Sequence, residues 1–176
     1  FWLPYLVGAV YLGIGVWIYR LRGNTRPGAT LALFCIVTAL TCALLFDTLT
    51  THALTVVWSV AVALIGGTLI ELALRFPEEW GAVTRRPWLS FTPFLVSLGL
   101  AAWAVIAYLL PANPWTYLMP RIAGFRYASI GIVAFQLVMF YRALPGSSPL
   151  VRRQARLVTV GSAIAFTPAM IWLVLP

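Results

Sequence analysis

Several ionisable side chains sit inside apolar text, where their chemistry is conspicuous. Arg126 lies about nine residues into an apolar stretch that begins near Tyr117, roughly 13 Å along a helix. Glu71 lies one turn before the end of another such stretch. Charges in hydrocarbon are costly; they face a bundle interior, pair with one another and mark functional sites. Asp47 is the only carboxylate near the same edge as Arg121 and Arg126. An Asp47–Arg126 or Asp47–Arg121 pair is therefore expected. It would either fix helix packing or form the positive floor of a pocket for an anionic or polar ligand. Glu71 precedes Arg75 by four residues, the favourable acid-before-base order on a helix. That pair reads as structural, with a role in coupling across the membrane as the alternative.

Catalytic machinery is not visible. One histidine, His52, excludes a multi-histidine metal site within the segment. Glu78 and Glu79 are adjacent, beside Trp80 and near Arg85 and Arg86, and read as an interfacial charge cluster rather than an acid/base pair. There is no phosphate-binding glycine loop, nucleophile elbow or paired-cysteine motif. Cys35 and Cys42 are seven residues apart, about 10 Å along a helix, too far for a bridge. No cofactor and no metal are expected in this segment.

The elements that must position these residues follow from composition. The 176 residues are 62% apolar and 9% charged, and the mean hydropathy is +0.94. Soluble domains carry about 25% charged residues, so lipid is the expected solvent for most of this chain. A net charge of +8 would suggest nucleic acid on a polar scaffold. Here the arginines stand at the ends of apolar runs, and no nucleic-acid partner is expected. Crossing hydrocarbon takes about 20 apolar residues. Six stretches qualify: Phe1–Tyr19, Ala29–Phe46, Leu54–Leu74, Leu89–Leu110, Tyr117–Tyr141 and Leu157–Leu175. The expected fold is all-α, a polytopic transmembrane bundle of about six spanning helices. Pro93 and Pro168 fall inside spans and predict kinks. Gly8, Gly13, Gly15, Gly66 and Gly67 predict close helix approaches, and Gln136 an interhelical hydrogen bond.

The connections alternate in charge. Those after the first, third and fifth spans hold ten of the twelve arginines; Arg121 and Arg126 belong to the fifth span. The positive-inside rule makes the Arg-rich side cytoplasmic. Phe76, Pro77, Glu78, Arg85, Arg86, Arg152, Arg153 and Arg156 are then cytoplasmic loop residues, and the segment starts outside. Trp80, Trp88, Trp115, Tyr19, Tyr117 and Tyr141 mark the headgroup levels. The start at Phe1 and the apolar end at Pro176 read as cuts, so residues 1–176 are expected to be one domain of a longer chain.

Two stretches carry a resemblance. ELALRFPEEWGAVTRRPW (residues 71–88) is a span ending in Phe-Pro-Glu, a short loop, and Arg-Arg-Pro-Trp opening the next span. VRRQARLVTVGSAIAFTP (151–168) is a basic loop running into a span. With WLPYLVGAVYLGIGVWIYRLR at the start, they resemble the multi-span amino-terminal sensor regions of bacterial membrane histidine kinases. The competence-pheromone receptor kinases are relatives of this kind. Membrane-bound serine phosphatases and nucleotide cyclases look to share similar regions. The resemblance implies an input module of a two-component system in the bacterial inner membrane. It would act as a homodimer, respond to an unidentified small ligand or peptide, and owe any kinase activity to sequence outside this segment. The competing reading is a transporter or channel segment, with Asp47, Arg126, Gln136 and Glu71 marking a polar path.

Overall fold

The computed structural model describes the backbone of residues 2–110, 115–145 and 148–174, and their side chains except 82 and 167–174. Among these residues the chain is helical and without strands. The helices are α1 (Leu3–Arg22), α2 (Arg26–Ala43), α3 (Thr55–Arg75), the short α4 (Gly81–Arg85), α5 (Thr92–Leu109), α6 (Trp115–Ala143) and α7 (Pro149–Val174). Single 3₁₀ turns follow α2 (Asp47–Leu49) and precede α5 (Pro87–Ser90). Five helical stretches are long and apolar enough to cross a membrane: Leu3–Arg22, Arg26–Leu49, Thr55–Arg75, Pro87–Leu109 and Trp115–Ala143. The sixth expected span, Leu157–Leu175, falls largely on α7, whose side chains at 167–174 lie outside the described residues, as does residue 175.

The helices outrun the apolar stretches, so much of the expected loop is helix end. Arg20 and Arg22 close α1, Arg26 opens α2, and Arg142 closes α6. Arg152, Arg153 and Arg156, expected in a loop, stand on the first turns of α7. Pro149 opens that helix, where its missing N–H costs nothing. Pro93 likewise does not kink a span. It occupies the first turn of α5, because α5 begins later than the apolar run, after the Pro87–Ser90 turn. Only three residues separate α1 from α2. The Thr25 hydroxyl caps α2 by accepting the Gly28 N–H at 3.3 Å, and a Cβ on Gly28 would stand 2.2 Å from the Arg22 carbonyl. Only glycine permits this turn.

α3 is the axis of the bundle, with α2, α5 and α6 against it; α1 leans on α2, and α7 on α6. Its 21 residues span about 31 Å, matching a hydrocarbon core of about 30 Å. Phe34, Leu69, Leu72, Ile132, Phe135 and Met139 form the main core between α2, α3 and α6. Trp58, Val62 and Ala128 form a second one nearer the start of α3. Small residues set the spacing. A Cβ on Gly66 would meet Tyr127 at 2.6 Å, and one on Gly131 the Gly66 carbonyl at 2.8 Å. Gly8 and Gly15 press on α2 and Gly67 on α5, whereas Gly13 meets nothing within 4 Å. Gly13 is five residues from Gly8, roughly 140° around the helix, and so points away.

Candidate functional site

The charged side chains that the fold gathers are at the Arg-rich end. The ends of α1, α3 and α6 meet the starts of α2, α5 and α7 there, which brings ten arginines and all three glutamates to one end of the bundle. Glu71 and Arg75, one turn apart on α3, are 7% and 4% exposed. Arg75 Nε lies 3.1 Å from Glu71 Oε1; its N–H is not aimed at that oxygen, so the contact is coulombic. The other guanidinium nitrogens make directed bonds. Nη1 reaches Glu79 Oε1 at 2.8 Å, and Nη2 donates to Ser90 Oγ at 2.7 Å. The Ser90 hydroxyl donates onward to the Pro87 carbonyl at 2.8 Å. Glu71 Oε2 accepts the Thr30 hydroxyl of α2 at 2.9 Å.

One guanidinium thus ties α2, α3 and both ends of the 76–91 connection. That connection, expected as a plain loop, folds under the bundle through α4 and the 3₁₀ turn, with Val83 and Ser90 buried. A further strap comes from α6, whose Arg142 guanidinium donates to the Phe76 carbonyl, just before the cis Phe76–Pro77 bond. Between the connection and α6 lies an open cleft of about 310 Å³, with Glu78, Glu79 and Trp80 on one wall and Tyr141 and Arg142 on the other. Arg85 and Arg86 are exposed. Arg152, Arg153 and Arg156 line a separate shallow groove at the start of α7.

The expected Asp47–Arg121 and Asp47–Arg126 ion pairs are not formed. Among the described residues, the ion pairs within 4.0 Å are Glu71–Arg75 and Arg75–Glu79. Asp47 spends its oxygens locally. Oδ2 accepts the Leu54 N–H at 2.7 Å and Oδ1 accepts the Thr51 hydroxyl. Donors a few residues away are held in place by the turn itself, whereas an arginine on α6 would have to be brought across the bundle. Arg121 instead stacks on Trp58, 5.0 Å from the ring centroid. Trp58 in turn donates its indole N–H to the Thr41 carbonyl at 3.1 Å. Arg126 is exposed, on the outer side of α6. Its neighbour Tyr127 closes on Gly66, beside the midpoint of α3, so Arg126 stands near mid-depth of the bundle. A guanidinium at that depth costs about 2.5–3.5 kcal/mol on insertion scales.

Gln136 does bond between helices, donating to Ser162 Oγ at 2.9 Å. Sequence reading missed Thr30, Ser90, Ser97 and Tyr127. Ser97 donates to the Ala63 carbonyl at 2.9 Å, and Tyr127 to the Pro93 carbonyl at 2.7 Å. The available signal was a hydroxyl inside an apolar run, since such groups bond across helices in membranes. But each run holds several, and the Thr38 and Thr41 hydroxyls of α2 bond only to their own helix. These features define a multi-pass helical bundle with membrane-length apolar helices and a buried ionic hub at its basic end. Set against protein families, curated proteins and solved structures, the chain matches none of them.

Proposed function

We propose that this chain is the transmembrane input module of a signal-transduction protein, specifically a sensor histidine kinase of the plasma membrane, with the Arg-rich end cytoplasmic and a homodimer as the working unit. The observation that carries the reading is the Glu71–Arg75–Glu79–Ser90 hub. It joins two neighbouring helices to the connection that enters a third, at the end where positive-inside bias puts the cytoplasm. Arg75 has carboxylates four residues on either side, Glu71 and Glu79, with Glu78 nearby. Arg75 holds both carboxylates at once, and release of one of them is the rearrangement through which a stimulus with differential affinity for two states would act. A transport path draws no comparable support: Glu71 is sealed, Gln136 is spent on Ser162, and Asp47 is spent on its own turn.

The test uses the full-length protein in proteoliposomes with labelled ATP. The expected outcome is acid-labile, base-stable phosphate on histidine, with a level that Glu71→Gln changes several-fold while Asp47→Asn leaves it near the parent value. Solute flux without any phosphohistidine would replace the reading with a transporter.

A further inference from the structure

We infer that the outward face of α6 is a docking surface for a transmembrane helix of another membrane protein, one that presents an Asp or Glu level with Arg126. Arg126, Ile130, Val133, Leu137 and Phe140 follow one another at spacings of four and three residues. The four apolar members are 42–64% exposed, and Arg126 is exposed as well. That spacing is the seam of a knobs-into-holes helix contact, in which a single polar position sets register. Exposed apolar residues alone say nothing in a lipid-solvated helix. The guanidinium among them is what demands a partner, since intramembrane charges pair or line a cavity.

No group among the described residues satisfies it. Arg126 has no hydrogen bond, ion pair or ring contact among the described residues. Snorkelling has to cover much of the roughly 15 Å from midplane to headgroups, which the stem spans only in part. A two-fold contact between copies on this face would set Arg126 against Arg126. Nor can residues 1–176 of a second copy lend a carboxylate at this depth: Asp47 is engaged at the far end, and Glu71, Glu78 and Glu79 lie at the Arg-rich end. The complement is therefore an acidic side chain on a helix from outside residues 1–176.

The inference is independent of the sensor reading and is tested without reference to phosphorylation. The full chain is labelled with a donor dye and reconstituted in phosphatidylcholine vesicles with acceptor-labelled Leu/Ala transmembrane peptides of about 20 residues. The peptides carry Asp, Leu or Arg at the centre. The expected result is that the Asp peptide associates about tenfold more tightly than the Leu peptide. Arg126→Lys should keep that preference, Arg126→Leu should abolish it, and Arg126→Asp should transfer it to the Arg peptide. Equal binding of the Asp and Leu peptides overturns the inference. So does a preference that survives Arg126→Leu, or self-association of the parent chain that Arg126→Leu abolishes, which would make a second copy the occupant.

Discussion

Arg75 shows how a single side chain can be costly and indispensable together. Desolvating a guanidinium and a carboxylate is repaid only when every remaining donor and acceptor finds a partner. Glu79, Ser90 and Thr30 supply most of those partners here, while the Arg75 Nε–H makes no directed bond and keeps only its coulombic contact with Glu71. Arg75→Leu leaves Glu71 buried and unpaired, and should destabilise the bundle by about 3–5 kcal/mol. The double variant Glu71→Leu with Arg75→Leu should recover most of that loss. Denaturant unfolding in mixed micelles reads both; a double variant as unstable as the single would show that the charge pair itself holds the end of α3. Thr30→Val should fall between, at about 1.5–3 kcal/mol, as for a bond to a charged group. At the other end, Asp47 organises the turn that enters α3. Asp47→Ala should speed amide exchange at Leu54, whose N–H donates to the Asp47 carboxylate, and at His52, whose N–H donates to the Asp47 backbone carbonyl in the same turn. Unchanged exchange there would remove Asp47 from that role.

At the scale of helices, α3 and α6 are held at a distance that only glycine allows. Gly66→Ala and Gly131→Ala each push a methyl into backbone across the contact, and should cost about 1–3 kcal/mol, as overpacking does. Gly13→Ala is the control. It meets open space and should be neutral or stabilising by up to about 1 kcal/mol, from helix propensity alone. If Gly13→Ala proved as damaging as Gly66→Ala, α1 would not turn Gly13 away from its neighbours. That helices would touch at glycines was legible in the residue types. Which glycines touch was not, because Gly8, Gly13 and Gly15 are equivalent in composition and differ only in angle around α1. The polar ties across helices, Ser97 to Ala63 and Tyr127 to Pro93, are worth about 0.6 kcal/mol each in membranes. They set register more than stability.

For the whole molecule, the antiparallel order of α1, α2 and α3 predicts that Asn24 and Thr84 face one compartment and Thr50 the other. All three are exposed. Asn24→Cys, Thr84→Cys and Thr50→Cys, added singly with Cys35 and Cys42 replaced by alanine, should be labelled by an impermeant maleimide from opposite sides of oriented vesicles. Asn24→Cys and Thr84→Cys should share the side where the arginines collect. Labelling of Asn24→Cys and Thr50→Cys from the same side would dissolve both the bundle order and the cytoplasmic assignment.

Hydropathy alone determined the class of this molecule. Runs such as Leu54–Leu74 are too apolar for water, and in lipid a backbone must satisfy its own polar groups, which makes them helices. Arginine spacing alone determined which helix ends lie together. The pairing of side chains was decided only in three dimensions. Glu71 finds Thr30 across 41 residues and Arg142 finds Phe76 across 66, and no local pattern encodes either. The orientation of Arg126 was hidden for a more general reason. Lipid is as apolar as the packed interior, so a membrane helix carries no amphipathic stripe to say which face turns inward. Only the packing of Tyr127 on Gly66 turns Arg126 outward.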